Sequence, residues 1–294
     1  MTSEPTATYF EATHNEIRLA ILSDNRPGQG GLDTEHGLSI YMEGPSGRFL
    51  LDTGASDLFS RNAEKLGIDL RKVDYCLISH GHYDHIGGLP SFLDLNSTAK
   101  IVLSSRIPGA EYLSIKGKPH SITGNVDFRK HRGRFIFIDK SCTLGNIHIY
   151  SDLQTNNPLP KGNRNLLIRK SETEAVPDTF RHELAFVIDG VLFTGCAHNG
   201  IMNILHSVQE SVSFCIGGFH LLDSDGEKEY ETDDELRQIA KELRSEYPET
   251  AFYTGHCTGD RSFRTLSDAM QDQLHQFHCG QRLTLDSPES FFKN

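Results

Sequence analysis

Short apolar runs, rich in β-branched and aromatic residues and bounded by turn residues, recur along most of the chain. Such runs are typical of β-strands. The predicted strands cover 17–23, 38–43, 49–52, 73–79, 100–104, 134–139, 147–151, 165–168, 184–188, 191–194, 213–216, 251–253 and 282–285. The hairpin 184–194, which turns at Asp189-Gly190, is the clearest local signal.

Amphipathic stretches lie between these strands and are not gathered at one end of the chain. The predicted helices cover 58–66, 200–210, 236–247 and 262–277. Gly67 follows the first helix as a C-terminal cap, and Thr232 with Glu235 forms a capping box before the third. Strands interleaved with helices predict an α/β fold in which helices cover packed sheets.

The chain has 294 residues, of which 37% are hydrophobic, and no low-complexity linker divides it. We therefore expect a single domain over 15–294, preceded by a flexible tail at 1–14. The stretch 105–130 is rich in Gly and Pro and predicts a long loop or insertion. Such loops often carry function in compact domains.

Charge and hydropathy restrict the class of partner. The formal net charge is −11, from 29 basic and 40 acidic residues, and this balance disfavours nucleic acid as a partner. No stretch is apolar enough to span a bilayer, and the N-terminus lacks the pattern of a secretory signal. We expect a cytoplasmic protein with a small-molecule substrate and no membrane partner. The oligomeric state stays open.

Four metal-ligand side chains lie within six positions directly after the predicted strand 73–79. These residues are His80, His82, Asp84 and His85. Imidazole and carboxylate are ligands of zinc, iron and manganese. His80 and His82 can share one side of an extended segment, whereas Asp84 and His85 can face a second ion. The spacing predicts a centre with two metal ions.

This H-x-H-x-D-H pattern, with Asp52-Thr53-Gly54 upstream, resembles the metallo-β-lactamase superfamily. The segments 24–25, 35–37, 195–198, 217–220 and 254–259 resemble one branch of it, the metal-dependent hydrolases and dihydropterin-ribofuranosyl-aminobenzene 5′-phosphate synthases. The likeness runs from about residue 17 to about residue 280. It implies an αββα sandwich of two mixed β-sheets flanked by helices, with the metals at one edge between the sheets.

The resemblance also implies the remaining metal ligands. His80 and His82 bind the first ion with a later histidine, for which His198 is preferred and His182 is the rival. His256 joins Asp84 and His85 at the second ion. Cys196 stands where many members carry an aspartate that bridges the metals, so it is either a thiolate ligand or a small buried residue.

Asp52 lies in a D-T-G sequence that looks like the turn of an aspartic protease. That chemistry needs two carboxylates sharing a proton, and no second D-T-G exists in the chain. We expect instead that Asp52 accepts hydrogen bonds from the metal ligands and orients them.

Other residues are predicted to contact the substrate or the reacting groups. His220 is a candidate proton donor, with a structural role as the alternative. Thr258 and Gly259 could present backbone N–H groups to a phosphate. The remaining candidates at the catalytic or substrate site are His36, Glu35 and Asn25.

Together these features predict a metal-dependent hydrolase with a dinuclear metal centre, most simply zinc, with iron or manganese as alternatives. A metal-bridging hydroxide would attack a small ester, phosphoester or lactone. One alternative is a synthase that transfers a phosphoribosyl group, for which Arg106, Lys116, Lys118 and Arg164 are the candidate basic residues. The other is a metal-bearing binding or sensor module without turnover.

Overall fold

The computed structural model describes residues 16–28, 31–226 and 228–286, so the predicted tail at 1–14 lies outside the described residues. The strands are β1 (Glu16–Ser23), β2 (Ser39–Gly44), β3 (Gly47–Leu51), β4 (Tyr75–Leu77), β5 (Lys100–Ser104), β6 (Tyr112–Ser114), β7 (His120–Ser121), β8 (Phe135–Ile138), β9 (Cys142–Leu144), β10 (Ile147–Tyr150), β11 (Leu166–Arg169), β12 (Ala175–Pro177), β13 (Ala185–Ile188), β14 (Val191–Phe193), β15 (Phe214–Ile216), β16 (Ala251–Thr254), β17 (Leu274–Gln276) and β18 (Arg282–Asp286). The α-helices are α1 (Leu58–Lys65), α2 (Tyr83–Ile86), α3 (Leu89–Leu95), α4 (Ile201–Ser207), α5 (Asp233–Glu246) and α6 (Asp260–Met270).

Two seven-stranded sheets form the centre of the molecule. Their strand orders are β18-β1-β2-β3-β4-β5-β8 and β17-β16-β15-β14-β13-β10-β9. Each sheet is antiparallel at one side and parallel at the other. The parallel strands matter for function, because their carboxyl ends meet at one edge of each sheet.

Three apolar layers hold the sandwich together. The inner faces of the two sheets pack on each other through residues such as Leu19 and Ile40 of the first and Phe186 and Phe193 of the second. The outer face of the first sheet buries α1 and α3, and that of the second buries α4, α5 and α6. This is the αββα arrangement that the family resemblance implied.

Local signals in the sequence also match the structure. Every predicted strand overlaps an observed one, and β13 and β14 form the predicted hairpin, with φ of 50° at Asp189 and 76° at Gly190. Gly67 adopts φ of 72° after α1, and the capping box of Thr232 and Glu235 opens α5.

One prediction of secondary structure is wrong. The helix predicted over 262–277 ends at Met270, and the chain then forms the edge strand β17. The stretch 105–130, predicted as a loop or insertion, contributes β6 and β7 to a small third sheet, of order β12-β11-β6-β7. A β-bridge between Thr123 and His82 ties this sheet to the histidine motif. Among the described residues, no helix has the length and hydrophobicity needed to cross a membrane.

Candidate metal centre

The candidate metal ligands lie at the carboxyl ends of the parallel strands of both sheets. Asp52 follows β3 and His80 follows β4, while His198 follows β14 and His256 follows β16. His220, after β15, lies at the same edge. Left-handed backbone recurs here, with φ of 54° at Asp52 and 49° at both His220 and His256. Such conformations are costly for residues with a side chain and cluster at functional sites.

The first group of donor atoms consists of three buried imidazoles, from His80, His82 and His198. One nitrogen of each lies within 4.8 Å of the others. The Nε2 atoms of His80 and His198 are 3.3 Å apart. The Nε2 of His82 is buried and has no hydrogen-bond partner among the described residues.

Hydrogen bonds at Nδ1 fix the tautomers of two of these rings. Ser79 Oγ donates to Asp52 Oδ2 at 2.6 Å, so it accepts from His80 Nδ1 at 2.9 Å. Asn163 donates to the carbonyl of His198, and its Oδ1, 3.1 Å away, accepts from His198 Nδ1. The neutral rings therefore direct Nε2 lone pairs at each other. Two lone pairs at 3.3 Å repel unless a cation lies between them, which is the arrangement of metal ligands.

The second group repeats this arrangement. His85 Nδ1 donates to Asp52 Oδ2 at 2.7 Å, and His256 Nδ1 donates to Asn25 Oδ1 at 2.9 Å. Their Nε2 atoms are 3.1 Å apart. Asp84 Oδ2 lies 3.4 Å from His256 Nε2 and 3.8 Å from His85 Nε2. The group thus combines two imidazoles with a carboxylate.

Protonation in this cluster follows from burial and from neighbouring charges. Burial and the surrounding imidazoles lower the pKa of His80 and His198, and lower the pKa of His82 to about 3. Burial alone would raise the pKa of Asp84, but nearby imidazoles outweigh it and hold that pKa well below its usual range. Burial would lower the pKa of His256, but Asp84 helps raise it to about 9, so a proton and a metal ion compete for its Nε2.

Cys196 lies between the two groups. Its Sγ is 3.1 Å from His85 Nε2, and it also shares a potential metal site with His198 and His220. This is the position expected of a bridging ligand. The turn that carries it requires glycine at position 195, where φ is 59° and an added Cβ would lie 2.3 Å from Ser79 Oγ.

Cys257 is a donor that the sequence analysis did not single out. Its Sγ lies within 4.8 Å of donor atoms of Cys196 and His256, and it accepts the backbone N–H of His220 at 3.3 Å. Its position next to His256 was the one available signal. All six cysteines are free thiols.

The structure favours His198 over His182 as the third histidine. Both ring nitrogens of His182 are engaged, since Nε2 lies 3.0 Å from Asp178 Oδ2 and Nδ1 accepts the N–H of Gly81 at 3.2 Å. His182 therefore has no free lone pair to offer, whereas His198 Nε2 points at His80.

Three of the predicted substrate contacts are contradicted. The N–H groups of Thr258 and Gly259 donate to the carbonyls of Gly255 and Leu221, both at 2.9 Å, so neither can bind a phosphate. The carboxylate of Glu35 is also occupied, because it accepts from Ser56 Oγ at 2.6 Å and from backbone N–H groups of the same loop.

Asn25 also differs from its predicted role. Its amide contacts both the ring and the carbonyl oxygen of His256 and lies 3.1 Å from His36 Nδ1. It therefore orients these two histidines and is not directed at a substrate. His36 itself is 57% exposed, with Nε2 3.2 Å from Asp84 Oδ2.

A cavity of about 290 Å³ opens above the donor atoms. His220 lines it, and neither ring nitrogen of this buried side chain has a hydrogen-bond partner among the described residues. Lys116 and His120, from the β6–β7 hairpin, line the cavity too. Arg106 and Arg164 are not among its lining residues and instead pair with Asp152 and Asp225.

Comparisons with known proteins agree with this geometry. The family model of the metallo-beta-lactamase superfamily matches residues 32–117. The chain is similar to a solved metal-dependent hydrolase of the beta-lactamase superfamily, with 29% identity and a TM-score of 0.75 over 92% of this chain and 99% of that one.

Two further comparisons point the same way. The chain is 24% identical over 296 residues to 7,8-dihydropterin-6-methyl-4-(beta-D-ribofuranosyl)-aminobenzene-5'-phosphate synthase of Methanocaldococcus jannaschii, which covers 90% of this chain and 96% of the relative. A diphosphatase of the PhnP family, 14% identical with a TM-score of 0.50 over 92% of this chain and 98% of its own, shares the fold. The histidine motif, the family-model match and the fold are all similar to those of the metallo-beta-lactamase superfamily.

Proposed function

We propose that the protein is a metal-dependent hydrolase with two divalent metal ions, and that these ions are zinc. His80, His82 and His198 would hold the first ion. Asp84, His85 and His256 would hold the second, and Cys196 would bridge them. Histidine, carboxylate and thiolate together suit zinc, with iron as the nearest competitor.

One observation carries this proposal: the paired Nε2 lone pairs below an open cavity. His80 and His198 direct two such lone pairs at one point, because other residues accept their Nδ1 protons. The Nε2 atoms of His85 and His256 also meet, 3.1 Å apart and beside Asp84 and Cys196, where a bound ion would replace the proton of His256. Buried polar atoms normally have partners, and the Nε2 of His82 has none among the described residues, so the cluster indicates a site for cations.

Two ions held there would supply a nucleophilic hydroxide at neutral pH and would polarise the attacked carbonyl or phosphoryl oxygen. The surrounding residues would supply a proton, bind the substrate and exclude water. His220 faces the cavity with free ring nitrogens and can give a proton to the leaving group. Lys116 can bind an anionic part of the substrate, and apolar Ile122 and Leu222 exclude water.

The substrate is proposed to be a small ester, phosphoester or lactone, and not a nucleic acid, given the net charge of −11. The thiols of Cys196 and Cys257 at the centre suit a reducing compartment such as the cytoplasm.

Metal analysis combined with activity tests the proposal. After purification with excess zinc we expect two ions per chain and hydrolysis of at least one of three probes, a p-nitrophenyl ester, a p-nitrophenyl phosphodiester and an aliphatic lactone. A chelator should abolish the activity, and added zinc should restore it. Less than one ion per chain would contradict the metal centre. Two ions with no hydrolysis would contradict the hydrolase alone.

Synthase activity is the second candidate, because the curated relative from Methanocaldococcus jannaschii is a synthase and because Lys116 and His120 line the cavity. Incubation with a phosphoribosyl donor and an aromatic amine distinguishes the two reactions. A transferase would join the two molecules, whereas a hydrolase would only release free sugar phosphate.

Lys116→Ala tests whether Lys116 binds an anionic part of the substrate. A lost charged hydrogen bond corresponds to about 1.5–3 kcal/mol, so KM for an anionic substrate should rise about 10- to 100-fold. KM for a neutral ester should not change. Lys118→Ala is the matched control, since Lys118 is exposed and is not among the described lining residues. Equal effects of the two variants would contradict the role of Lys116.

A further inference from the structure

A second cavity, of about 210 Å³, lies behind the metal-site cavity. The loop before the 3₁₀ helix Lys161–Asn165, the start of α4 and one face of α5 enclose it. Its walls are largely apolar and include Pro158, Leu159, Pro160, Ile201, Met202 and Ile239. Pockets of this composition, with few polar groups, are typical of small-molecule sites.

The two cavities are separated by the segment after β15. Phe219 and Leu221 line the second cavity, whereas His220 and Leu222 line the metal-site cavity. Alternate residues of one segment thus face opposite sides, and no described residue lines both cavities. The second cavity is therefore a separate binding volume and not an extension of the metal site.

A buried carboxylate in the wall of the second cavity lacks a partner. Glu231 is only 4% exposed, and its Oε1 accepts the N–H of Lys161 at 2.6 Å. Its Oε2 is buried without a hydrogen-bond partner among the described residues. Leaving a buried carboxylate oxygen unpaired is destabilising, so a donor is expected at this position.

The charges around the second cavity indicate the sign of the missing donor. Lys161 is the single cation among its described lining residues, and both carboxylate oxygens of Glu235 hold its Nζ at 2.6 Å. Glu231 and Glu242 add two further carboxylates to the lining. Burial also raises the pKa of Glu231, an effect that a bound cation would oppose.

We propose that the second cavity binds a small organic cation, a primary ammonium group carried on an apolar body, with the ammonium donating to Glu231. The volume exceeds that of an engineered apolar cavity of about 150 Å³ that binds benzene, which suits one aromatic ring with a short chain. The proposal needs no metal ion and does not depend on the hydrolase activity.

Calorimetric titration with 2-phenylethylammonium tests this, with 2-phenylethanol as the neutral probe of similar shape. We expect the ammonium to bind at least tenfold more tightly than the alcohol. In Glu231→Gln, which keeps the shape and removes the charge, that preference should disappear. Glu249→Gln, an exposed position away from the cavity, is the matched control and should keep it.

A second variant tests whether the probes bind inside this cavity. Ile239→Trp should fill the cavity and abolish binding of both probes. Should that variant fail to fold, Leu159→Trp, at an exposed position in the same wall, replaces it. Equal affinity for the two probes, or ammonium binding unchanged in Glu231→Gln or in the tryptophan variant, would overturn the proposal.

Discussion

The two donor groups of the metal centre differ in chemistry but share their supports. The first group has three imidazoles and no carboxylate, whereas the second has Asp84 and lies beside the exposed His36. Asp52 supports both, because it binds His85 directly and His80 through Ser79. Under the proposed function, the difference predicts two separable metal sites, and the shared support predicts that some substitutions will weaken both.

Removing a ligand should separate the two sites most clearly. In His198→Ala we expect the first group to lose its ion, with affinity falling more than about 100-fold, beyond the usual effect of losing a residue that only orients a ligand. Elemental analysis should then find one ion per chain. His182→Ala is the matched control and should keep two, because both nitrogens of His182 are engaged elsewhere. If His198→Ala still bound two ions per chain, His198 would not be a metal ligand.

Removing the shared carboxylate charge should weaken both sites at once. Asp52→Asn keeps the size of the side chain but cannot accept as strongly from His85 and Ser79. We expect both metal affinities to fall by about 10- to 100-fold in a competitive titration with a chelating dye. Asp178→Asn, whose carboxylate binds the His182 ring and the N–H of Phe180, should leave both affinities unchanged. Loss at a single site would show that Asp52 does not support the two groups together.

Substitution of the two cysteines tests whether the sulfur of Cys196 binds metal in both donor groups. Cys196 Sγ lies within 4.8 Å of donor atoms of both groups, whereas Cys257 Sγ lies within that distance of Cys196 and His256. In cobalt-loaded protein, Cys196→Ser should remove most of the sulfur-to-cobalt charge-transfer absorption, and zinc affinity should fall about tenfold, because a hydroxyl is a poorer zinc ligand than a thiolate. Cys257→Ser should retain most of the absorption. The reverse result would make Cys257 the ligand.

The sequence predicted the parts of the centre that are local in the chain. The ligand types of His80, His82, Asp84 and His85 lie within six residues, and their strand is a clear apolar run. The convergence of His198 and His256 depends on the strand order of the second sheet, which residue spacing alone does not specify. The family resemblance supplied that information.

The predictions for Glu35 and Gly259 were wrong for a common physical reason. The N–H of Gly259 is occupied by a carbonyl 38 positions earlier, at Leu221, and Glu35 is occupied by the loop at Ser56. Such partners are set by tertiary packing. Cys257 carried no pattern of its own, and β6 and β7 are too short, at three and two residues, to give a periodic signal.

The smallest predicted effects come from the two asparagines that orient one histidine of each group. Asn163 accepts from His198 Nδ1, and Asn25 accepts from His256 Nδ1. A neutral hydrogen bond contributes about 0.5–1.5 kcal/mol, so each alanine variant should weaken one ion by about 2- to 10-fold. Asn163→Ala should affect the first site and Asn25→Ala the second, as resolved in a two-site metal titration. If either variant weakened both sites equally, the two groups would act as one unit, and the difference between them would lie in composition alone.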